Sequence, residues 1–359
     1  MKRIVIAVTT DLNTDQRVLR IASALEELDF EVTLFGRELK NSKPLNVKQP
    51  AKRVRLLLNK GVAFYALFNW RLFWYLIFHR VDIVLANDLD TLVGAAIASI
   101  LKQKPLVYDS HEYFTQLPEL VNRPKKQRVW LKAEQLFLPR ATVAYTVCQS
   151  LADIYSVSYS KPFGVVRNVP FRKHLPSVVT AKQNVIIYQG ALNVGRGIEL
   201  MIQAMHYLPD YQLWIAGYGD VEQQLKQLAN EQGGGGKVVF LGRLLPNELH
   251  QITQQAKVGL SLEEDLGLNY HYALPNKLFD YIQALVPVVV ANLPEMKNIV
   301  EQYGVGQVLY ERTPQQLATT ICNVCNNTDK YTDNLQKAAV ELCWENEKTK
   351  LFNLYTKLK

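Results

Sequence analysis

Residues 185–197 of the 359-residue chain, VIIYQGALNVGRG, put a glycine and an arginine where a strand gives way to a helix. Backbone N–H groups and the dipole at such a helix start attract phosphate, and Arg196 adds a two-pronged donor. A turn glycine, Gly190, followed by a solvated arginine is the equal alternative. Residues 213–220, LWIAGYGD, end a second apolar run in a G-x-G at Gly217 and Gly219. The full dinucleotide fingerprint needs a third glycine opening the helix; Glu222 stands there, so a nicotinamide cofactor loses support. Residues 238–246, VVFLGRLLP, bring another strand to a glycine, Gly242, before a helix. Farther on, Glu263, Glu264 and Asp265 precede a long loop, and Pro275 opens a helix with Asn276 and Lys277 in its first turn. Proline suits that position, but lysine there opposes the helix dipole. A phosphate bound at the same helix end would remove the conflict.

The first half carries fewer such groups. His111 follows a strand in YDSHEYF, at the rim where a ligand cleft belongs. Asp15 and Arg17 follow the first strand, and a helix-capping aspartate with a solvated arginine explains them equally well. Asp88, in ANDLD, reads as the cap of a helix beginning near Thr91. Cys322 and Cys325 form a CxxC, yet no second pair supplies the ligands a structural zinc wants, so they read as turns of a buried helix.

These groups need elements to hold them. A 48% hydrophobic, 21% charged composition excludes disorder, collagen and a small disulfide scaffold, and the length suits about two domains of ~150 residues each. Lys and Arg outnumber Asp and Glu by 41 to 33, a +8 balance that fits an anionic partner without naming one. No dense basic stripe or recognised motif points to nucleic acid. Strands are expected at 3–8, 31–35, 54–58, 82–86, 106–108 and 142–147. Helices fall between them at 15–28, 62–80, 91–101, 125–138 and 149–155. Residues 168–184 lose the rhythm and read as a linker, and 233–236 as a flexible turn. Strands then resume at 185–189, 212–216, 237–241, 258–262, 286–291 and 307–310. Helices accompany them at 197–207, 221–231, 247–255, 276–284 and 314–326, and a charged helix closes the chain at 341–359. Near-continuous apolar strands alternating with helices mean parallel sheets covered on both faces. The expected fold is α/β, with two doubly wound Rossmann-like domains facing across a cleft. The boundaries are an N-terminal domain at 1–168, a linker at 169–184, a second domain at 185–340, and a last helix at 341–359 crossing back to the first. Ligands of such sheets bind at the carboxyl ends of the strands.

The succession YQGALNVGRG, IAGYGD, FLGR and ALPNKLFDYIQALVPVVV resembles the carboxyl-terminal domain of GT-B glycosyltransferases, specifically the retaining GT4-like group 1 family. VTTDLNTDQRVLRIASAL, ANDLDTL and YDSHEYF resemble that family's acceptor-side domain, so the resemblance covers essentially the whole chain. It implies a nucleotide-sugar donor in the second domain. Gly190, Gly217, Tyr218, Gly242 and Arg243 would line the donor site, with the nucleobase against residues 241–243. Arg196 and Lys277 would hold the diphosphate, together with Asn276 and the backbone of Leu278. Asp280 stands where the family's second glutamate of E-x7-E meets the ribose. The first is replaced by Tyr272, leaving Glu263 or Glu264 to recover the sugar contact, and Ala191 replaces an arginine found in many relatives. On the acceptor side the resemblance implies His111 beside the reacting sugar, with Asn13, Asp15, Arg17 and Glu112 toward the acceptor, itself a saccharide or lipid-linked. It implies transfer with retention in cell-surface polysaccharide or glycolipid synthesis, and neither a metal nor a cofactor. A nucleotide-sugar epimerase of the same architecture and a non-catalytic nucleotide- or sugar-binding module are the alternatives.

Residues 61–78, GVAFYALFNWRLFWYLIF, hold eight aromatics and just reach the length of a membrane span. Asn69 and Arg71 in the middle argue against spanning. Burial against the sheet, or an in-plane contact with an anionic membrane surface through Trp70, Phe73 and Trp74, are the two readings kept. The N-terminus lacks a signal-peptide pattern, so the expected location is cytoplasmic, peripheral on the inner face of the cell membrane if the helix docks.

Overall fold

The computed structural model describes residues 1–13, 15–173, 182–232 and 236–358. It divides into two units, Met1–Asn168 with Glu347–Lys359, and Val169–Asn346. In the first, β1 (Lys2–Ala7), β2 (Phe30–Glu38), β3 (Ala51–Arg55), β4 (Ile83–Asn87), β5 (Leu106–Ser110), β6 (Val143–Thr146) and β7 (Gly164–Val165) form one sheet. Its order is β3-β2-β1-β4-β5-β6-β7, and the paired strands are parallel. The apolar runs of β1, β4 and β5 are buried on both faces, which a sheet covered by helices on either side requires. Strand order reverses between β1 and β4, so the loops after their carboxyl ends diverge and leave room for a ligand.

The second unit repeats the plan with β8 (Val185–Gln189), β9 (Gln212–Ala216), β10 (Val238–Gly242), β11 (Val258–Ser261), β12 (Val288–Ala291) and β13 (Gly306–Leu309). Their order is β10-β9-β8-β11-β12-β13, again parallel, with the reversal between β8 and β11. The helix Asn276–Gln283 is moored to this sheet by Tyr281. Its hydroxyl accepts from the Gln189 backbone N–H at 3.1 Å and lies 3.1 Å from the Leu260 carbonyl. Its ring fills the space where a Cβ on Gly259 would stand, 2.5 Å away. That mooring sets the position of Lys277 and Asp280 on the same helix.

The alternation of elements holds in both units, and the differences have identifiable causes. The edge strand β3 lies at Ala51–Arg55, three residues ahead of the expected 54–58. It pairs Leu34 with Ala51 through Glu38 with Arg55, and the apolar run that suggested the later start is left outside, with Leu57 97% exposed. Helices Pro294–Tyr303 and Thr328–Glu341 were not expected. The first starts on a proline and stops at Gly304 with φ +59°, ordinary helix punctuation packed into a short interval between two strands. The closing helix runs Trp344–Tyr355, cut from its predecessor by a turn at Leu342 and Cys343. From Glu347 onward it belongs to the first unit, where the Tyr355 ring meets Phe30 at 6.0 Å. Residues 174–181 of the expected linker and 233–235 of the expected turn lie outside the described residues.

Candidate functional site

The first unit gathers its chemistry at the carboxyl ends of β4 and β5. His111 sits one residue past β5 and Asp88 one residue past β4. The Asp88 carboxylate accepts from the His111 backbone N–H at 2.7 Å and lies 3.2 Å from its Nδ1. On the other side of the ring, Nε2 lies 3.2 Å from the Asp109 carboxylate. Asp109 is in turn gripped by Arg17, whose Nε and Nη2 donate at 3.1 and 2.7 Å while Nη1 reaches the Val166 carbonyl at 3.0 Å. Burial works against a charged imidazole, but Asp88 and Asp109 outweigh it and carry His111 up to about 9. Burial likewise opposes charge on Asp109, but Arg17 and His111 hold it below the usual carboxylate range. His111 is therefore an imidazolium at neutral pH, a fixed positive charge and not a free base. Beside it, burial lifts Asp90 to about 7, although the Thr9 hydroxyl donates to it at 2.5 Å.

Two expectations for these residues need correcting, the cap at Asp88 and the solvated Arg17. Asp88 does not cap the helix Leu89–Lys102: its side chain makes no cap hydrogen bond and serves His111 instead. Its backbone stands at φ +56° and ψ 170°, a region that nearly always holds glycine, and such strain is kept where surrounding contacts impose it. Arg17 is not solvated. It is 4% exposed and acts behind Asp109. Asp15 is the helix cap, its carboxylate accepting from the Val18 N–H at 3.1 Å. Asn13 is spent on the neighbouring loop, with its amide bonded to the Lys43 and Pro44 carbonyls and to the Asn46 N–H. The Glu112 carbonyl closes the turn after His111 by accepting from Ser110 Oγ and the Phe114 N–H, both at 2.9 Å. Asp109 is not among the residues that the sequence motifs single out. A charged residue inside the otherwise apolar strand LVYDS was the available signal, because a buried charge must be paired.

In the second unit, the ends of β8, β9 and β10 open onto a cavity of about 560 Å³. Gly190, Ala191, Asn193, Gly217, Tyr218 and Arg243 are among its lining residues. One of these glycines is forced by close approach: a Cβ on Gly217, at φ +154°, would stand 1.8 Å from the Gly190 carbonyl oxygen. Arg243 lies over the Tyr218 ring at 5.4 Å. A Cβ on Gly190 would meet Lys277 Nζ at 3.5 Å, so the lysine borders the same loop.

Glu263 joins these cations. It is buried, its carboxylate 2.8 Å from Lys277 Nζ and 3.7 Å from Arg196 Nη1, and Ser261 donates to its other oxygen at 2.8 Å. Burial opposes its charge, but Lys277 and Ser261 hold it below the usual range. Glu264 instead turns out toward Arg312 at 3.9 Å, so of the two acids only Glu263 converges with Arg196 and Lys277. Arg312 also donates to the Leu262 and Glu263 carbonyls, fixing that strand end, a role nothing in the local pattern announced.

Lys277 does not stand open: it is buried over the Tyr188 ring at 4.2 Å with its charge met by Glu263. Arg196, half-buried and over the Tyr270 ring at 5.4 Å, is the more accessible cation. The Leu278 side chain is core and its N–H is turned to the Pro275 carbonyl at 3.2 Å, while Asn276 is exposed at the helix start. Asp280 accepts from Gln189 Nε2 at 2.9 Å. Gly242, at φ +66°, ends β10 next to Arg243. Tyr272 follows the short helix Leu268–His271, within the loop between β11 and the helix Asn276–Gln283.

Two family models match the chain in succession. Residues 172–341 match the family model described as glycosyl transferases group 1, and residues 15–169 that described as glycosyltransferase family 4. An uncharacterized glycosyltransferase of Methanocaldococcus jannaschii, MJ1607, is 26% identical over 182 residues, 48% of this chain and 45% of that protein. The chain thus matches somewhat under half the length of that relative. Sucrose-phosphate synthase from Thermosynechococcus elongatus superposes with a TM-score of 0.81 at 15% identity, over 100% of this chain and 99% of that one. HepE from Anabaena, solved with UDP-glucose, superposes with a TM-score of 0.75 at 18% identity, over 100% and 99%. These two likenesses carry the fold alone. With two successive family models laid over its two Rossmann-like units, the chain belongs to the group 1 glycosyltransferases and has their GT-B fold.

Proposed function

We propose that the chain transfers a sugar, with retention of configuration, from a nucleoside-diphosphate sugar to a saccharide or lipid-linked acceptor in the making of a cell-surface glycan. The observation that carries this reading is the Arg196–Glu263–Lys277 cluster beside Gly190, at the edge of a cavity roomy enough for a nucleotide. The diphosphate would lie against Arg196 and the exposed helix start at Asn276, with the base toward Tyr218 and Arg243. Glu263 fixes Lys277 and leaves Arg196 to meet most of the charge that develops on the departing phosphate. In the reaction the C1–O bond breaks with its electron pair going to the diphosphate. The acceptor oxygen bonds to C1 from the same face, and its proton passes to a phosphate oxygen. His111, held charged by Asp88 and Asp109, would orient a sugar hydroxyl and cannot serve as the base. The reading uses no metal.

HepE, solved in complexes with UDP and with UDP-glucose, makes UDP the first nucleotide to try. A lipid-linked acceptor is supported by the helix Gly61–Phe78, long and apolar enough to cross a membrane, with 28% of its span buried. Phe64, Phe68, Leu72 and Leu76 face inward, whereas Trp70, Trp74 and Phe78 are 54, 40 and 76% exposed at four-residue spacing. Next to it, the helix Pro124–Phe137 presents exposed Lys125, Lys126, Arg128 and Lys132, its Trp130 touching Tyr65 at 5.0 Å. An apolar stripe beside a basic face fits the cytoplasmic surface of an anionic bilayer.

The test incubates the chain with UDP-glucose and with GDP-, ADP- and CMP-sugars, with and without lipid extract, and follows nucleotide release and product anomers by NMR. Nucleotide release that requires acceptor, with the donor's anomeric configuration kept, is the expected result. Conversion of the donor to an epimer without acceptor, or an inverted product, would overturn the reading.

A further inference from the structure

A second, smaller cavity of about 170 Å³ lies in the first unit, where the helices Pro124–Phe137 and Gln149–Tyr159 pass the loop that follows His111. Tyr113, Glu134, Gln135, Tyr155, Ser158 and Tyr159 line it. Glu134 is 2% exposed, an uncommon place for a carboxylate, and its Oε2 accepts from the Tyr159 hydroxyl at 2.8 Å. Its Oε1 has no hydrogen-bond partner. Burial pushes the carboxyl up to about 7, and the Tyr159 and Tyr155 hydroxyls offset this only in part. Three rings line the same cavity: Tyr113 meets Tyr155 edge-on at 5.6 Å, and Tyr155 stacks toward Tyr159 at 6.2 Å.

A buried polar atom without a partner is destabilising, more so if charged, so such an atom lining a cavity points to an occupant. One water needs only about 10–15 Å³, so the space exceeds a single water's requirement many times over. An occupant that offers Oε1 a donor and carries a positive charge would satisfy this atom and keep Glu134 ionised. Magnesium and calcium are poorly served, since each wants six or more oxygens, and no group of three or more His, Cys, Asp or Glu forms among the described residues. Aromatic faces, by contrast, attract organic cations, and an ammonium brings three N–H donors to one carboxylate and its hydroxyl neighbours.

We propose that this cavity is a binding site for the primary ammonium group of a small molecule, held by Glu134 Oε1 and walled by Tyr113, Tyr155 and Tyr159. Tyr113 stands two residues after His111, so an occupant would also hold the His111 loop from behind. The site lies wholly within the first unit and does not depend on the transfer reading.

Calorimetry and thermal unfolding of the full chain with methylammonium and ethanolammonium chloride test it, against potassium chloride at equal ionic strength and against glycerol. Glu134→Gln keeps the shape and removes the charge, while Tyr113→Leu removes one wall on a loop and serves if the first variant folds poorly. Both ammonium salts should bind and raise the unfolding midpoint above the potassium control, with affinity at least ten-fold weaker in Glu134→Gln and about three-fold weaker in Tyr113→Leu. Equal stabilisation by potassium or glycerol, undiminished binding in the variants, or no ammonium effect would overturn the proposal.

Discussion

His111 has both ring nitrogens engaged by carboxylates, and this decides what it can do. An imidazole that titrates near 9 stays charged through neutral pH, so the acceptor's proton must go elsewhere. Asp88→Asn removes one of the two anions that raise it. The His111 ring resonances should then titrate at a clearly lower pH, a shift that 15N-edited NMR reads directly. Because the folded value lies above the unfolded value of 6.5, the stability contributed by His111 is complete below about 6.5 and lost as pH climbs toward 9. Urea unfolding across that window should show a falling free energy, with a flatter profile in His111→Gln. An unchanged profile would mean the ring is not held charged. At this scale the sequence reveals residue types but not partners. Asp109 was legible in principle as a charge in a buried strand. The service of Asp88 to His111 was not, because it depends on a positive φ that no aspartate advertises.

Two helices owe their close packing to one glycine. A Cβ on Gly94 would stand 2.4 Å from the Asn69 backbone oxygen, where the helices Gly61–Phe78 and Leu89–Lys102 cross. Asn69, the residue that looked like a polar break in an apolar helix, clasps them instead. Its Nδ2 donates to the Asp90 carbonyl at 2.7 Å and its Oδ1 accepts from the Gly94 N–H at 2.7 Å. Gly94→Ala gains about 1 kcal/mol of helix propensity, but overpacking against backbone should outweigh it. A net loss of ~1–3 kcal/mol is expected by denaturant unfolding. Periodicity located most helices because their inner faces repeat every three to four residues. It missed Pro294–Tyr303, which lies between two expected strands, and Thr328–Glu341, which lies between two expected helices. It misplaced β3 because an edge strand is set by backbone pairing and not by a buried run.

Across the whole molecule the alternation of apolar runs and helices revealed two parallel sheets, and their shared reversal of strand order explains why each unit collects its charged groups at strand ends. The long loop between β11 and the helix Asn276–Gln283 hid which acid would converge on the cations, since spacing through an irregular loop sets no direction. If the chain docks on a bilayer, Trp70→Ser with Trp74→Ser should lower co-sedimentation with anionic vesicles several-fold while leaving nucleotide binding intact. Absence of wild-type binding at low salt would exclude docking. The donor site itself is tested by calorimetric titration of UDP, GDP, ADP and CMP, without added metal, into the wild type and Arg196→Ala. One nucleoside diphosphate should bind the wild type, and its affinity should fall about ten-fold or more when the charged donor is removed. No binding by any of them, or equal binding by the variant, would contradict a diphosphate site built on Arg196.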